Sequence, residues 1–549
     1  MTCSAFSFNL MIKKQFLLLF LLFSCRLLAQ PTLSLDWINK YPESIGKKII
    51  KDSDNNIIIC GQESSSSTWG STYSNLFLKK IDTLGNTSWS EIIGFGLPQG
   101  GYGVQQLLID SLNNIYLVGV LTVNPNTPIE VGFLIKYDSQ GNFIWEKKYG
   151  AMQGFNCYFL NAAIFKNSFI SLSGFIDSSG TFNKAIIAQY SLTGNLNWVH
   201  IDTNSYMTRA SSIVHDNLGN AYLTFISNCC PPSTTGSIVK LDSLGNQIFQ
   251  NQIIGGNYHH MLPGVIGIDD SSMVYIATKT TGVGTNSGYD CAIIKFDTSG
   301  TQKWFTIYRN SPVTGKNEYP TKIFFDNENC YVLGGIDSSF LYSNGFITKC
   351  SKNGTLKWEY IYSPTNQGQN GIANGYLIND SSIAISGTGV FSQSSWGMFA
   401  QIIDTSGVLK SNFQDTNFSI IRDMEKIDKN FYLIGSYRDT NELVQDSTVV
   451  CKLIFDQIST SFYKTDYLPE KKFIIYPNPV TDNLIVENLD LKSLNEEFYL
   501  CIKNPLGTIV LSKYVTLPNK INLHQLSKGF YIVSLSNKNF NCNHSIIKY

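Results

Sequence analysis

Arginine is scarce in this chain: beyond the N-terminal segment it occurs only at Arg209, Arg309, Arg422 and Arg438. Charged residues make up 15% of the 549, and the formal net charge is +0. So few, widely spread guanidinium groups build no phosphate-neutralising surface, and nucleic acid is not expected as a partner. Histidine is as sparse. His200, His215, His259, His260, His524 and His544 show none of the spacing that presents metal ligands, so neither a metal nor a cofactor is expected. The 12 Cys include Cys3 and Cys25 near the N-terminus, and the others are scattered too irregularly for a disulfide framework. Each reads as readily as a small buried apolar residue. Cys330 with Cys350, and Cys501 with Cys542, are the pairs that could bond in an exported chain if their strands are neighbours. Cys229 and Cys230, adjacent in sequence, are poor partners for each other. No glycine-rich phosphate loop and no Gly-x-Ser-x-Gly elbow in strand-to-helix context is present.

Long apolar runs are also missing, with one short exception. Lys13 and Lys14 precede the apolar stretch from Phe16 to Phe23, and small or polar residues follow up to Gln30. That is the pattern of an export signal, expected to span residues 1–30, with Met11 as an alternative start. A lipid-modified Cys25 is disfavoured because Phe23 stands where a smaller residue is wanted. The stretch is too short to span a bilayer, and no transmembrane span is expected in the mature chain.

What the chain has in abundance is 43 Gly, 13% aromatics and many Asn, Ser and Thr, which suits short strands joined by tight turns. Laid against itself, the sequence repeats a phrase: an apolar strand, Asp, two residues, Gly, three residues, Trp. It runs from Phe77 through Asp82 and Gly85 to Trp89, and from Phe133 through Asp138 and Gly141 to Trp145. Further copies reach Gly194 and Trp198, Gly245 and Phe249, Gly300 and Trp304, Gly354 and Trp358, and Gly407 and Ser411. The period of about 50 to 56 residues is that of a four-stranded propeller blade. A second hairpin precedes each phrase, as in Leu107 to Asp110 followed by Asn114 to Gly119.

The ends of the array are out of phase. It opens at Leu35-Asp-Trp37, which reads as a fourth strand with no third before it. It closes at Val449 to Phe455, which reads as a third strand with no fourth after it. Pairing these two closes a ring and removes the open sheet edge. The expectation is an all-β protein: an eight-bladed β-propeller over residues 31–458, with seven blades as the alternative. The repeated Asp residues read as turn chemistry rather than calcium or acid sites, and the Trp row as packing between blades. The wording Lys-Tyr-Asp138-Ser-Gln-Gly141-Asn-Phe-Ile-Trp145 resembles the SBBP-type propeller repeat of bacterial secreted proteins, a likeness that is nearly silent on activity.

After a linker expected at 459–473, a new module over 474–549 alternates like a small β-sandwich. It opens with Tyr476-Pro477-Asn478-Pro479, turns at Asn504-Pro-Leu-Gly507, continues through Gly529-Phe-Tyr531 and ends with Lys548 beside the terminal residue. These phrases, in this order, resemble the type A sorting domain of type IX secretion cargo. The resemblance implies a Bacteroidetes-type bacterium, Sec export, passage across the outer membrane by the type IX machinery, and release or attachment at the cell surface. A carbohydrate-binding module is the alternative for a terminal sandwich.

Both short turns of each repeat fall on one rim, so the variable loops share the other. That rim carries Trp69, Tyr73, Phe182, Tyr289, Tyr342 and Trp396 among small neutral donors, which suits a glycan or a protein surface. The expected function is non-catalytic binding or adhesion through this rim. A polysaccharide-active hydrolase or lyase on the same scaffold is the alternative; His259 and His260, with Asp269, Asp290 or Glu318, are the groups that would serve it.

Overall fold

The computed structural model describes residues 32–64, 74–94, 101–123, 129–150, 155–177, 183–202, 208–227, 235–254, 260–281, 289–308, 316–338, 342–362, 368–369, 371–392, 395–416, 420–437, 447–456, 473–476, 480–488, 497–504, 508–537 and 540–548. Contacts divide the chain into two units, Met1–Thr460 and Ser461–Tyr549. Every named element among the described residues is a β-strand.

Among the described residues the first unit forms eight sheets, or blades, of antiparallel strands, with the short Gly368–Gln369 pairing parallel to the start of Tyr342–Ser351. Blade 1 runs Ser44–Lys51, Ile57–Ser64, Ser74–Ile81, Thr87–Ile93, and these strands, A to D, pair in sequence order. The A strands of blades 2 to 7 are Gly101–Ile109, Asn156–Phe165, Thr208–His215, His260–Ile268, Lys316–Phe325 and Gly371–Asn379. Blade 8 takes its A, B and C strands from Ile420–Ile427, Asn430–Tyr437 and Ser447–Asp456. Its D strand is Thr32–Tyr41, paired with the C strand from Thr32↔Asp456 to Tyr41↔Thr448. Each A strand contacts the next around the whole circuit, blade 8 to blade 1 included. The count is therefore eight, and the out-of-phase ends are one sheet divided between the two ends of the array.

The turns show why the phrase repeats. Asp138 Oδ1 accepts from the backbone N–H groups of Gln140 (2.9 Å) and Asn142 (2.8 Å), and its Oδ2 accepts from Asn142 Nδ2 (2.8 Å). Asp82 and Asp242 repeat this set of bonds. Gly141 has φ +86°, a conformation open to Gly at little cost. It has a second role, because a Cβ there would lie 2.8 Å from the ring of Trp89 in the preceding blade. Trp37, Trp89, Trp198, Trp304 and Trp358 each donate an indole N–H to a turn carbonyl of the following blade, at 2.8 to 3.4 Å. At these five junctions the Trp thus locks one blade onto the next blade's turn.

A second signature lies on the B strands, whose Tyr116, Tyr222, Tyr275, Tyr331 and Tyr432 are among the largest fully buried side chains. Tyr116 donates its hydroxyl to Asp110 (2.9 Å). Lys136 Nζ lies 5.2 Å from the Tyr116 ring centroid and donates to the Leu192 carbonyl of the next blade (3.0 Å). Tyr275 with Asp269, and Tyr331 with Asp326, repeat the hydroxyl bond.

All eight A strands are broken at one level by a β-bulge. The register slips between Gly46 and Lys48, Val104 and Gln106, Phe159 and Asn161, Ala210 and Ser212, Pro263 and Val265, Pro320 and Lys322, Ile372 and Asn374, and Ile421 and Asp423. Six B strands place Gly opposite this kink. A Cβ on Gly119, for example, would stand 2.0 Å from the Gly103 carbonyl oxygen, so only a residue without one admits the bulged strand.

The second unit packs two sheets around Leu484, Val486, Phe498, Leu500, Ile502, Val533 and Leu535. One sheet is Phe473–Tyr476, Asn483–Asn488 and Asn519–Asn522; the other orders Ile509–Thr516, Glu497–Lys503, Gly529–Asn537 and Phe540–Lys548. The cysteine expectations divide here. Cys330 and Cys350 face each other directly on adjacent strands of blade 6, both buried. Cys501 and Cys542 do not meet, because the strand Gly529–Asn537 lies between theirs; Cys501 faces Ser534 and Cys542 faces Leu535.

Trp89→Ala is expected to cost about 3 kcal/mol of unfolding free energy, as for other large aromatic truncations. Gly141→Ala should also destabilise, through both the left-handed backbone and the Trp89 ring. Denaturant titration of the two variants checks this, and an unchanged midpoint for either would contradict the packing described.

Candidate functional site

The bulges define a tier of the propeller axis. Each A strand pairs with its B strand on one side only, leaving the other edge to the axis. The residue just after the bulge, read from blade 1 to blade 8, is Lys48, Gln106, Asn161, Ser212, Val265, Lys322, Asn374 and Asp423. One arc of the tier, blades 2 to 5, is therefore uncharged, while blades 6, 7, 8 and 1 supply a polar crescent.

Side chains in this crescent bond across blades. Lys322 Nζ donates to Asn374 Oδ1 (2.5 Å), and Asn374 Nδ2 donates to Asp423 Oδ1 (2.6 Å). Asp423 also accepts from the N–H groups of Met424 (2.9 Å) and Ile49 (3.3 Å), the latter in blade 1. Lys322 Nζ sits 3.7 Å from the Tyr376 ring centroid, a cation held on an aromatic face. Glu425 lies two residues beyond Asp423 on the same strand and feels the charges of Asp423, Lys51 and Lys322.

Burial moves the protonation equilibria toward neutrality. Desolvation pushes the Glu425 carboxyl up to about 7. It draws Lys322 down to about 8 against the opposing pull of Asp423 and Glu425, and Lys48 lowers it further. Asp423 is raised by burial, with Lys48 the largest opposing influence. Buried charge of this kind occurs both in working sites and in structural ion-pair networks.

The sequence marks this crescent only faintly. Its signal was present in Thr321-Lys-Ile and Arg422-Asp-Met-Glu425, phrases that set charge into strands otherwise apolar. The bulges that bring these residues to one level have no marker of their own on the A strands; the B-strand glycines opposite them do.

The rim residues named from sequence are placed in part. Tyr289 is half-buried at the loop end of the blade 5 C strand. Its amide donates to Asn317 Oδ1 (3.1 Å), and its carbonyl accepts from Glu318 N (2.8 Å), both in blade 6. Tyr342 begins the C strand of blade 6, and Trp396 faces Val390 beside the B–C connection of blade 7, so these three backbones stand on one rim in consecutive blades. Trp69, Tyr73 and Phe182 lie outside the described residues, as does His259.

His260 opens the blade 5 A strand, and Asp269 stands past its far end, in the turn on the opposite rim. Nine residues of extended chain span about 30 Å, so Asp269 does not approach His260. Its carboxylate instead accepts from Ser271 N (2.9 Å), Met273 N (3.0 Å) and the Tyr275 hydroxyl (3.0 Å). Glu318 accepts from Cys291 N (2.8 Å). His215 contacts Ser171 Oγ at 3.0 Å, and burial takes its pKa down to about 4.

In the second unit the opening and closing phrases meet. Val480, next after the Tyr-Pro-Asn-Pro run, forms a parallel bridge with Lys548, and its N–H donates to the Ile547 carbonyl (2.7 Å). Lys548 is buried and donates to the Thr481 carbonyl (2.6 Å) and Asp482 Oδ1 (3.3 Å). Gly529, at φ +153°, lies opposite Lys548, and the buried Tyr531 donates its hydroxyl to the Ser527 carbonyl (2.8 Å). Tyr476 ends the strand Phe473–Tyr476, opposite Ile485; Pro477, Asn478, Pro479 and Gly507 lie outside the described residues.

The fold defines a β-propeller protein followed by a small terminal β-sandwich. Residues 474–549 match the family described as secretion system C-terminal sorting domain and belong to it, so the chain carries a type IX sorting tail. No curated protein matches the chain significantly. Among solved structures it is similar to the WD40 domain of SCAP from fission yeast, at 10% identity and a TM-score of 0.40, over 76% of this chain and 97% of that one. A protein of unknown function from Dyadobacter fermentans gives 11% identity and a TM-score of 0.36, over 77% and 99%. Extracellular domains 1-2 of Drosophila Semaphorin 1b give 8% and 0.36, over 77% and 87%. Likenesses this distant carry nothing about activity, and the blade assignment rests on the strand pairing itself.

Glu425 yields a pH prediction. Its folded pKa of about 7 lies above the ordinary 4.5, so the folded state holds this proton more tightly than the unfolded one. The contribution to stability is full below the ordinary value and is lost as pH rises through the folded value. Glu425→Gln should therefore raise stability above pH 7, by on the order of 2 kcal/mol, and flatten the decline between about pH 4.5 and 7. Thermal denaturation of both forms across pH 4.5 to 8 tests it; parallel curves would show that the carboxyl is not desolvated.

Proposed function

We propose that this is a surface or secreted binding protein, exported by the type IX system and engaging a glycan or a protein through the rim that carries its variable loops. The sorting tail supports export by that route. Among the described residues, no helix is long and apolar enough to cross a membrane. The finer steps of the route, Sec export on a signal at 1–30 and then release or attachment at the outer surface, are part of the same proposal.

The observation that carries the binding reading is the division between the rims. One rim is built from A–B and C–D turns whose Asp and Gly residues are committed to their own geometry. The other receives the open ends of the B, C, D and A strands, where Tyr289, Tyr342 and Trp396 stand in consecutive blades, and Trp69, Tyr73 and Phe182 are assigned to it from the sequence pattern alone. Flat rings among Ser, Thr, Asn and Gly supply contact area and adaptable hydrogen bonds at low entropic cost. The sorting domain brings the secretion machinery as a partner, with Tyr476, Pro477, Asn478, Pro479, Gly507, Gly529, Tyr531 and Lys548 as its recognition phrases.

A second reading, a polysaccharide-active hydrolase or lyase, draws on the crescent, where Glu425 and Lys322 titrate near neutrality. The two readings separate on a glycan array followed by product analysis. Binding without product release, weakened at least tenfold by Trp396→Ala or Tyr289→Ala, is the expected result. Chain cleavage abolished by Glu425→Gln would overturn it. Export is tested separately: removal of residues 474–549 should hold the protein in the periplasm, and normal secretion of the truncated chain would refute the route.

A further inference from the structure

Cys330 and Cys350 stand opposite each other on the B and C strands of blade 6, within an unbroken register that runs from Asn329↔Ser351 to Ser338↔Tyr342. Opposite residues of an antiparallel pair present their side chains on one face. Both cysteines belong to one apolar cluster with Tyr275, Val332 and Phe346, both are fully buried, and their side chains are in hydrogen-bonding contact. Two steps along the ladder, Lys352 N donates to the Glu328 carbonyl (2.8 Å). Hydrogen-bonded pairs recur at every second step, so the cysteines are such a pair, with Cα atoms about 5.5 Å apart. A disulfide spans about 4.4 to 6.8 Å between Cα atoms. Forming it here draws the Cβ atoms from about 5 Å to about 3.8 Å, a small local approach of the two strands.

The repeat supplies its own comparison. The same level in other blades holds Ile57↔Ile81, Ile115↔Tyr137, Val274↔Phe296 or Ile383↔Ile403, and no other blade has cysteine at either position. A place that the fold otherwise fills with large apolar side chains thus carries two small ones together, in the blade where they meet. Among the described residues no other two cysteines face each other. Cys291 shares the cluster but faces Lys279 and Tyr308.

We infer that Cys330 and Cys350 are joined by a disulfide in the exported protein. The hydrogen bond with Cys350 and burial both raise the Cys330 pKa, so the folded pair holds little thiolate. The bond therefore forms while the hairpin is still open. One thiolate attacks the disulfide of a periplasmic thiol oxidant and forms a mixed disulfide, and the second displaces the oxidant's sulfur. Two electrons and two protons pass to the oxidant, which leaves as a dithiol. The product closes a ring of about 20 residues at the base of the hairpin whose far end carries Tyr342, so it staples a blade that serves the variable rim. The inference rests on export only for the oxidising compartment.

The test is mass spectrometry of the full chain collected from the medium or surface of the exporting cell, alkylated while denatured and digested without reductant. The Cys330 and Cys350 peptides are expected as one linked species, two hydrogens lighter than their sum, with Cys60, Cys157, Cys291 and Cys451 alkylated. Recovery of both alkylated, or of either joined to another cysteine, would overturn the inference. A chain found only inside the cell would count against export instead, and the same digest on protein sent to the periplasm behind a general export signal would still decide the bond. Refolding the chain under reductant should lower its thermal midpoint by a few degrees. The double variant Cys330→Ala with Cys350→Ala should show one midpoint with and without reductant, which separates the bond from any packing defect. A midpoint of the unaltered chain that ignores reductant would sink the staple.

Discussion

The molecule depends on one pairing, that of Thr32–Tyr41 with Ser447–Asp456. A sheet ring with an unpaired strand at its seam would present a row of open backbone donors and acceptors. Here the first strand of the array supplies what its last three lack. The seam is reinforced by a buried hydrogen bond from Ser44 to Thr448 (2.8 Å), between residues 404 apart in sequence. It also brings blade 8 against blade 1, and so places Asp423 beside Lys48 and Arg422 beside Lys47. The charged part of the axis is a product of the closure.

The same economy governs charge elsewhere. Most carboxylates of the repeats are bound to the amides of their own turns, and Lys303 and Lys410 pair with the turn carboxylates Asp297 and Asp404 at 2.6 and 2.9 Å. Hydrogen bonds and the adjacent ammonium hold those two carboxyls well below the usual carboxylate range. Such groups are poor candidates for proton transfer. The crescent differs because its carboxyls are raised by burial instead of being held down by donors, so burial and bonding together separate turn acids from those of a candidate site.

Much of this was legible in the residues. Asp138 and Gly141 announced a turn because a local bond pattern needs those types at that spacing, and Trp89 announced packing because it recurred in phase. The split ends predicted the closure because a missing strand is a countable fact. What stayed hidden depended on long-range geometry. The separation of Cys501 from Cys542 follows from strand order in the terminal sandwich, which alternation does not encode. Asp269 and His260 are near in sequence but stand at opposite ends of one extended strand. The crescent was invisible for a related reason: Lys322, Asn374 and Asp423 are about 50 residues apart in sequence, and only the common bulge level brings them together.

The seam has a consequence for biogenesis. Translation proceeds from the N-terminus, so the first ribbon of the wheel is made long before its mate, with the strands of seven complete sectors between them in the chain. Only the arrival of the eighth sector retires the hydrogen-bonding edge. The sorting tail follows directly after that sector in the chain. A product truncated before the seam therefore lacks both its closure and its export tag, and the order of the sequence itself keeps an unsealed wheel from being addressed to the cell surface.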